Sequence, residues 1–185
     1  MAEGYKNKGF NIPLQLHAFS DTIIITGSNT KLLKDRPVQF ISYLASLVIP
    51  PFITAIKNKI FFRGSISISD FYQSKIMVIG PAVDEAAQYY ITPNWIGVST
   101  SPSASISINE CSNSIKNVFI QYDIPHKTFI EKDCWALSWT REDTNHNCKT
   151  IMQNEMNMQH IGIEEEYFKY KNTLDFYEDQ ESSLM

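Results

Sequence analysis

The sequence contains little cysteine. Cys111, Cys134 and Cys148 are the only three among 185 residues, and they are widely spaced with no CxxC pair. An odd number at such spacing argues against a disulfide framework and against a paired-cysteine zinc site. Reduced thiols are typical of a reducing compartment. His146 stands two residues before Cys148, but two ligands in a polar run without a second pair are typical of a loop, so we expect no metal there.

The sequence also lacks a large excess of positive or negative charge. Charged residues make up 19% of the chain and the formal net charge is −4. The composition therefore predicts no strongly basic surface that could hold a phosphate backbone by releasing counterions. We expect no nucleic-acid partner.

The sequence has no long uninterrupted hydrophobic run. The most apolar stretch, residues 40–56, contains Pro50 and Pro51 and several hydroxyl side chains, whereas a membrane-spanning helix needs about 20 predominantly apolar residues. We interpret this stretch as core and expect no membrane partner. The N-terminal residues carry lysines with no apolar run or cleavage pattern behind them, which predicts a cytoplasmic protein without a secretory leader.

Apolar and aromatic residues, in contrast, are plentiful. They make up 43% and 12% of the chain, enough for one buried core in a protein of this size. We predict a single domain over residues 13–181, flanked by tails at 1–12 and 182–185. Trp95, Trp135 and Trp139 suit core or interface positions better than base-stacking ones.

Two strand pairs and a helix start are predicted from local pattern. Residues 14–19 and 22–26 are β-prone runs joined by Ser20-Asp21, which is typical of a tight hairpin. Strands over 61–69 and 76–79 are separated by a short linker, which predicts a second antiparallel hairpin. Gly80-Pro81 predicts the start of a helix that ends near Tyr90.

The rest of the chain alternates between helical and strand periodicity. The patterns predict a broken helix over 37–56, a helix over 102–109, strands over 95–99, 117–122 and 133–139, a long loop over 140–159, and a closing amphipathic helix marked by Ile163, Tyr167, Tyr170, Leu174 and Tyr177. Two hairpins rule out a purely parallel sheet. The expected fold class is α+β, with a mixed, mostly antiparallel, ferredoxin-like sheet covered by helices.

Four short motifs follow one another between residues 14 and 176. They are Phe19-Ser20-Asp21-Thr22-Ile23, Arg63-Gly64-Ser65-Ile66-Ser67, Gly80-Pro81-Ala82-Val83-Asp84-Glu85-Ala86-Ala87 and Tyr170-Lys171-Asn172-Thr173-Leu174. In this order they resemble class III adenylate and guanylate cyclases, and more closely a group of uncharacterised bacterial cyclase-like proteins. The resemblance is centred on residues 63–90 and implies a nucleotide cyclase-like fold.

The resemblance implies a metal site that includes Asp21. Family members use two Mg²⁺ or Mn²⁺ ions while the 3′-hydroxyl of a nucleoside triphosphate attacks its own α-phosphorus. One aspartate ends the first strand of the family fold, and the second lies at the tip of the following hairpin, where Asp21 matches it. No aspartate precedes Asp21, and the only acidic residue before it is Glu3. Either the chain is a shortened form that lacks the first strand and helix, or half of the metal site has been lost.

The helix after Gly80 departs from the family at its catalytic positions. Active cyclases that resemble this pattern carry an asparagine and, four residues later, an arginine that stabilises the transferring phosphoryl group. Asp84 and Gln88 occupy these positions. Neither supplies a cation, and a carboxylate beside a triphosphate repels it. A simpler, structural interpretation is that Asp84 and Glu85 stabilise the first turn of the helix, where negative charge is favoured.

The nucleotide-binding positions implied by the resemblance are also substituted. His17 and Met77 occupy the two purine-selecting positions, and Arg63 begins the strand that would lie near the phosphates. Each has a simpler interpretation: His17 as a partly buried strand residue, Arg63 as a surface or salt-bridged residue, and Asp21 as a turn residue that bonds its own backbone.

Three functions therefore stay open. The first is a catalytically impaired cyclase-like module that binds a nucleotide, or that regulates or contacts a protein. The second is an active nucleotidyl cyclase, a phosphorus-oxygen lyase, with a truncated N-terminus. The third is an interaction module with no nucleotide role. The resemblance implies a nucleoside triphosphate ligand with Mg²⁺ or Mn²⁺, and a homodimer, because the family site lies between two domains.

Overall fold

The computed structural model describes residues 14–28, 35–110, 118–159 and 164–182. The strands are β1 (Leu14–Phe19), β2 (Thr22–Gly27), β3 (Gly64–Ile66), β4 (Tyr72–Gln73), β5 (Val78–Ile79), β6 (Val98–Thr100), β7 (Phe119–Pro125) and β8 (Ile130–Leu137). The helices are α1 (Pro37–Lys57), α2 (Pro81–Tyr90), α3 (Pro102–Asn109), α4 (Asn147–Gln159) and α5 (Glu164–Ser182), with a 3₁₀ turn at Trp139–Glu142. Apart from Ser182, the predicted tails lie outside the described residues.

The central sheet has four strands in the order β3-β6-β8-β7. β3 and β6 run parallel, connected through α2, whereas β6 with β8 and β7 with β8 pair antiparallel. β1 with β2, and β4 with β5, form separate two-stranded hairpins. The predicted α+β class, with a mixed and mostly antiparallel sheet, is confirmed.

The predicted pairing of 61–69 with 76–79 is wrong. β3 pairs instead with β6, in the register Gly64 to Val98. The Gly64 N–H donates to the Gly97 carbonyl at 2.9 Å, and a Cβ at Gly64 would already lie 3.4 Å from Val98 Cγ2. Only Val78 and Ile79 of the second predicted strand are extended, and they pair with the adjacent β4 through a tight turn. β3 therefore pairs with β6, which is farther away in the sequence, and not with the nearer β5.

The predicted loop over 140–159 is also wrong, because α4 occupies most of it. Cys148 and Met152 are one helical turn apart and both are fully buried, so α4 has a narrow apolar stripe in an otherwise polar sequence. The N–H groups in the first turn of a helix have no partner within the helix. Asp143 supplies one for α4, since its Oδ2 accepts the Cys148 N–H at 2.8 Å.

The first helix is continuous, so the predicted break at Pro50-Pro51 is not found. Its buried face extends across the prolines from Ile41, Ala45 and Ile49 to Phe52 and Ile56. Tertiary burial of such a face supplies most of a helix's stability and here outweighs the backbone bonds that proline removes.

Gln39–Lys57, within this helix, is long and apolar enough to cross a membrane by length and composition alone. However, 39% of its most apolar window is buried inside the structure, and its face belongs to the main core cluster. The buried face of this helix therefore packs in the core, as the sequence predicted.

The core lies between the central sheet, α1, α4 and α5. Trp95, Trp135 and Trp139 are all buried in it, which confirms their predicted placement. Cys134 and Cys148 are buried free thiols, and Cys111 lies outside the described residues.

Candidate functional site

Asp21 lies alone at the tip of the β1-β2 hairpin. Its side chain is exposed and the preceding Ser20 has a positive φ of 54°, which makes the two-residue turn possible. Across the described parts of the chain, no group of three or more His, Cys, Asp or Glu side chains could hold a metal ion. The His146 Nδ1 lies 2.9 Å from Glu181 Oε1, whereas the Cys148 Sγ faces the Ile53 carbonyl of α1.

Asp84 and Gln88 lie on an exposed side of α2. Asp84 is in the first helical turn, as expected. The neighbouring Glu85 turns inward, and its Oε1 accepts the Ser103 N–H at 3.0 Å at the start of α3. Glu85 thus fixes α2 against α3. The interpretation of Glu85 as a negative charge that stabilises the first turn of its own helix missed this contact.

His17 and Met77 lie on two different hairpins. His17 is 7% exposed and stacks on Phe19, and its buried Nε2 has no partner within the described residues. Met77 is 41% exposed in the turn before β5. One hydrogen bond joins the hairpins, from Thr26 Oγ1 to Gln73 Oε1 at 2.6 Å, but none of the described hydrogen bonds or ion pairs joins two of the predicted site residues.

Arg63 lines a cavity. We call this cavity the Arg63 pocket; its volume is about 280 Å³, and it is lined by Phe61, Phe62, Arg63, Trp95, Ile96, Glu166, Lys169 and Tyr170. The first three precede β3, the next two precede β6, and the last three belong to the start of α5. The pocket therefore lies where two parallel strands begin and α5 crosses in front of them.

The walls of the Arg63 pocket are fixed by packing and hydrogen bonds. The Phe61 and Tyr170 rings meet edge to face, with centroids 5.2 Å apart at 88°. The Ile96 N–H donates to Thr173 Oγ1 at 2.7 Å, and Asn172 Nδ2 donates to the Asn94 carbonyl at 2.7 Å. These bonds hold the residues that precede β6 against α5, so the walls of the pocket are in place before any ligand binds.

The polar groups of the Arg63 pocket are mainly donors. Arg63 Nη1 donates to the Pro93 carbonyl at 3.3 Å, which uses one of the five N–H groups of a guanidinium. Lys169 Nζ lies 3.6 Å from Glu165 Oε1, a weak surface pairing. Trp95 is 1% exposed, and its indole Nε1 is a buried donor with no acceptor among the described residues.

Tyr170 adds an aromatic wall that stays uncharged. Burial, followed by the nearby carboxylates of Glu155 and Glu166, raises the pKa of its phenol. Each cause disfavours the phenolate. The ring therefore presents an apolar surface and a neutral hydroxyl at physiological pH.

Sequence reasoning found Arg63 but missed the residues around it. The sequence predicts Trp95 as a core or interface residue and indicates no role for its N–H, and it indicates no role for Glu166. A weak signal existed in the closing helix, where Glu166, Lys169 and Tyr170 follow one another at spacings of three and one and share the pocket.

No family model, curated protein or solved structure matches this chain. The resemblance to nucleotide cyclases therefore rests on the four sequence motifs alone.

Proposed function

We propose that this chain is a cyclase-like module without turnover, which acts by binding a nucleoside phosphate. The observation that carries the proposal is the exposure of Asp84 and Gln88 at the positions where the chemistry of the family needs an amide and a cation. Preorganised positive charge is usually the largest contribution to stabilising a phosphoryl transition state. A module without it binds but does not accelerate the reaction.

The metal requirement supports the same proposal. A two-metal mechanism needs carboxylates that hold both ions within a few ångströms of each other. Asp21 is the one resemblance-based ligand, and it stands exposed at a hairpin tip. Any Mg²⁺ or Mn²⁺ at this module would arrive with the nucleotide, which supplies most of the oxygen ligands in such complexes.

A product assay tests the absence of turnover. Purified protein is incubated with ATP, GTP, CTP or UTP and manganese, and cyclic nucleotides are quantified by mass spectrometry. We expect no product above the protein-free control. Metal-dependent product that disappears in Asp21→Ala would overturn the proposal and favour an active cyclase.

Binding is tested separately by thermal shift. A ligand that binds only the folded state raises the unfolding temperature, so we expect a nucleoside phosphate to stabilise the protein. If no nucleotide shifts the transition, with or without divalent metal, the module has no nucleotide role.

A second candidate function, self-association, is favoured by one face of the β1-β2 hairpin. In its antiparallel register, Leu16 opposes Ile25 and Ala18 opposes Ile23, and the exposed fractions of Leu16, Ile23 and Ile25 are 66%, 53% and 39%. This face carries no charge. A two-stranded hairpin is marginal by itself and gains stability when an apolar face is covered, so we propose a homodimer through this face.

Light scattering across a concentration series tests the dimer. We expect Leu16→Thr to shift the mass toward the monomer, while Ile130→Thr, at another exposed strand position (60% exposed), leaves it unchanged. A monomeric parent protein, or equal effects of the two changes, would contradict a hairpin interface.

We also propose a cytoplasmic location, supported by the free Cys134 and Cys148 thiols. Mass spectrometry of alkylated protein from cells tests it, since both thiols should be recovered reduced.

A further inference from the structure

We propose that the Arg63 pocket binds a small planar organic anion with one negative charge, a ring that bears one carboxylate, without a metal ion. This inference rests on the proposed function in so far as the chain acts by binding. It goes further by naming the ligand class and by separating this pocket from the hairpin and helix positions that the cyclase resemblance singles out.

The donors of the pocket call for an acceptor-rich ligand. Arg63 and Lys169 contribute N–H groups, and Arg63 has a single described hydrogen bond, to Pro93. A carboxylate oxygen offers an acceptor for the N–H groups that Arg63 and Lys169 do not use in these contacts.

The charges of the pocket limit the ligand to about one negative charge. Two cationic side chains, Arg63 and Lys169, face one carboxylate, Glu166. Glu165 lies outside the lining but 3.6 Å from Lys169, so Arg63 is the lining cation with no ion pair among the described residues, and one cation of this kind favours a ligand with a single negative charge. Further negative charge on the ligand would be repelled by Glu166, since like charges at close range disfavour each other. A nucleoside triphosphate would need a metal ion, and Glu166 is the only carboxylate among the lining residues.

The size and walls of the pocket call for a small flat ring. The volume of about 280 Å³ lies at the lower limit of ordinary ligand pockets, which run from about 300 to 1,000 Å³. The edge-to-face pair of Phe61 and Tyr170 and the apolar Ile96 line the same space. Aromatic rings prefer stacked or edge-to-face partners, so a planar ring suits these walls better than a flexible chain does.

Calorimetry with matched probes tests the inference on the full chain, with EDTA present. Nicotinate carries one carboxylate on a small ring, and nicotinamide is its neutral counterpart. We expect nicotinate to bind and raise the unfolding temperature, and nicotinamide not to. Benzoate extends the series to a simpler ring. Adenosine monophosphate carries close to two negative charges near neutral pH, and we expect it to bind more weakly than nicotinate. Binding of nicotinamide as tight as that of nicotinate would overturn recognition of the anion.

Two lysines of α5 provide a matched pair of variants. Lys169 lines the pocket, whereas Lys171 pairs with Asp175 on the exposed surface. We expect Lys169→Gln to weaken nicotinate binding about tenfold, as loss of one charge-assisted hydrogen bond does, and Lys171→Gln to leave it unchanged. Arg63→Gln should weaken binding at least as much as Lys169→Gln.

The outcomes separate this inference from the proposed absence of turnover. If no monoanion binds, or if Lys169→Gln and Lys171→Gln act alike, the pocket inference fails while the product assay stands. If magnesium and a triphosphate bind and Arg63→Gln abolishes that binding, the metal-free monoanion is the wrong ligand for this pocket. Detection of a cyclic nucleotide product would overturn the proposed function and would leave the inference about the Arg63 pocket unaffected.

Discussion

The Tyr177 hydroxyl donates a hydrogen bond to Asp143 Oδ2 at 3.1 Å, and the two residues are only 1% and 2% exposed. The same carboxylate oxygen accepts the Cys148 N–H. One buried acceptor thus joins the 3₁₀ turn, the start of α4 and the middle of α5. Burial, followed by the charge of Asp143 and the hydrogen bond to it, raises the pKa of Tyr177 above its ordinary value.

Tyr177→Phe removes this hydroxyl while keeping the ring that packs against Trp139. We expect the free energy of unfolding to fall by about 1–3 kcal/mol, because a buried carboxylate oxygen loses a donor that water cannot replace. Urea denaturation measures it. Tyr72→Phe is the control, since Tyr72 is 59% exposed and should change stability by less than about 0.5 kcal/mol. Equal losses would show that Asp143 does not depend on Tyr177.

The buried thiols make stability depend on alkaline pH. Burial, followed by the charge of Asp143, raises the pKa of Cys148 from an ordinary 9.0 to about 12. Burial, followed by Glu131, does the same for Cys134. The folded state therefore holds these protons more tightly than the unfolded state does. This contribution is fully present below pH 9 and is lost as the pH rises through the folded value near 12.

We expect the free energy of unfolding to decline progressively above about pH 9. Tyr177 and Tyr122 change it in the same direction, since their pKa values are also raised. Cys148→Ala should make the decline shallower, because one of the linked protons is gone. Urea titrations at a series of pH values test this. A slope that is identical in Cys148→Ala would show that the thiol does not contribute.

Local signals in the sequence were enough to predict much of the fold. Ser20-Asp21 between two β-prone runs predicted the first hairpin, and Gly80-Pro81 predicted the start of α2, because turn and cap chemistry acts over a few residues. The pairing of Gly64 with Val98 joins positions far apart in the chain, and no nearby residue specifies it. Arg63 was found, but Lys169 reaches the same pocket from the other end of the chain, so only the folded structure brings the two together.

Gly80 and Gly64 should respond differently to the same substitution. Gly80 has a φ of 133°, and a Cβ there would lie 2.9 Å from Phe71 Cα and 3.0 Å from the Asp70 carbonyl oxygen. We expect Gly80→Ala to destabilise the protein by about 1–3 kcal/mol through backbone strain and this clash. Gly64→Ala is the matched control, since its Cβ would make only a van der Waals contact with Val98. Thermal unfolding that ranks Gly64→Ala as the more harmful change would contradict the described turn.

Asp84 and Glu85 are adjacent acidic residues with separate roles, and a pair of alanine substitutions can distinguish them. Glu85 accepts the Ser103 N–H at the start of α3, so Glu85→Ala should cost about 1.5–3 kcal/mol, the range for a hydrogen bond to a charged group. Asp84 is exposed in the first turn of α2, where a negative charge contributes about 0.3–1 kcal/mol. Glu85→Gln keeps an acceptor oxygen and should recover part of the loss, as measured by urea denaturation. If Asp84→Ala proved the costlier change, the assignment of Glu85 as the residue that fixes α2 against α3 would be wrong.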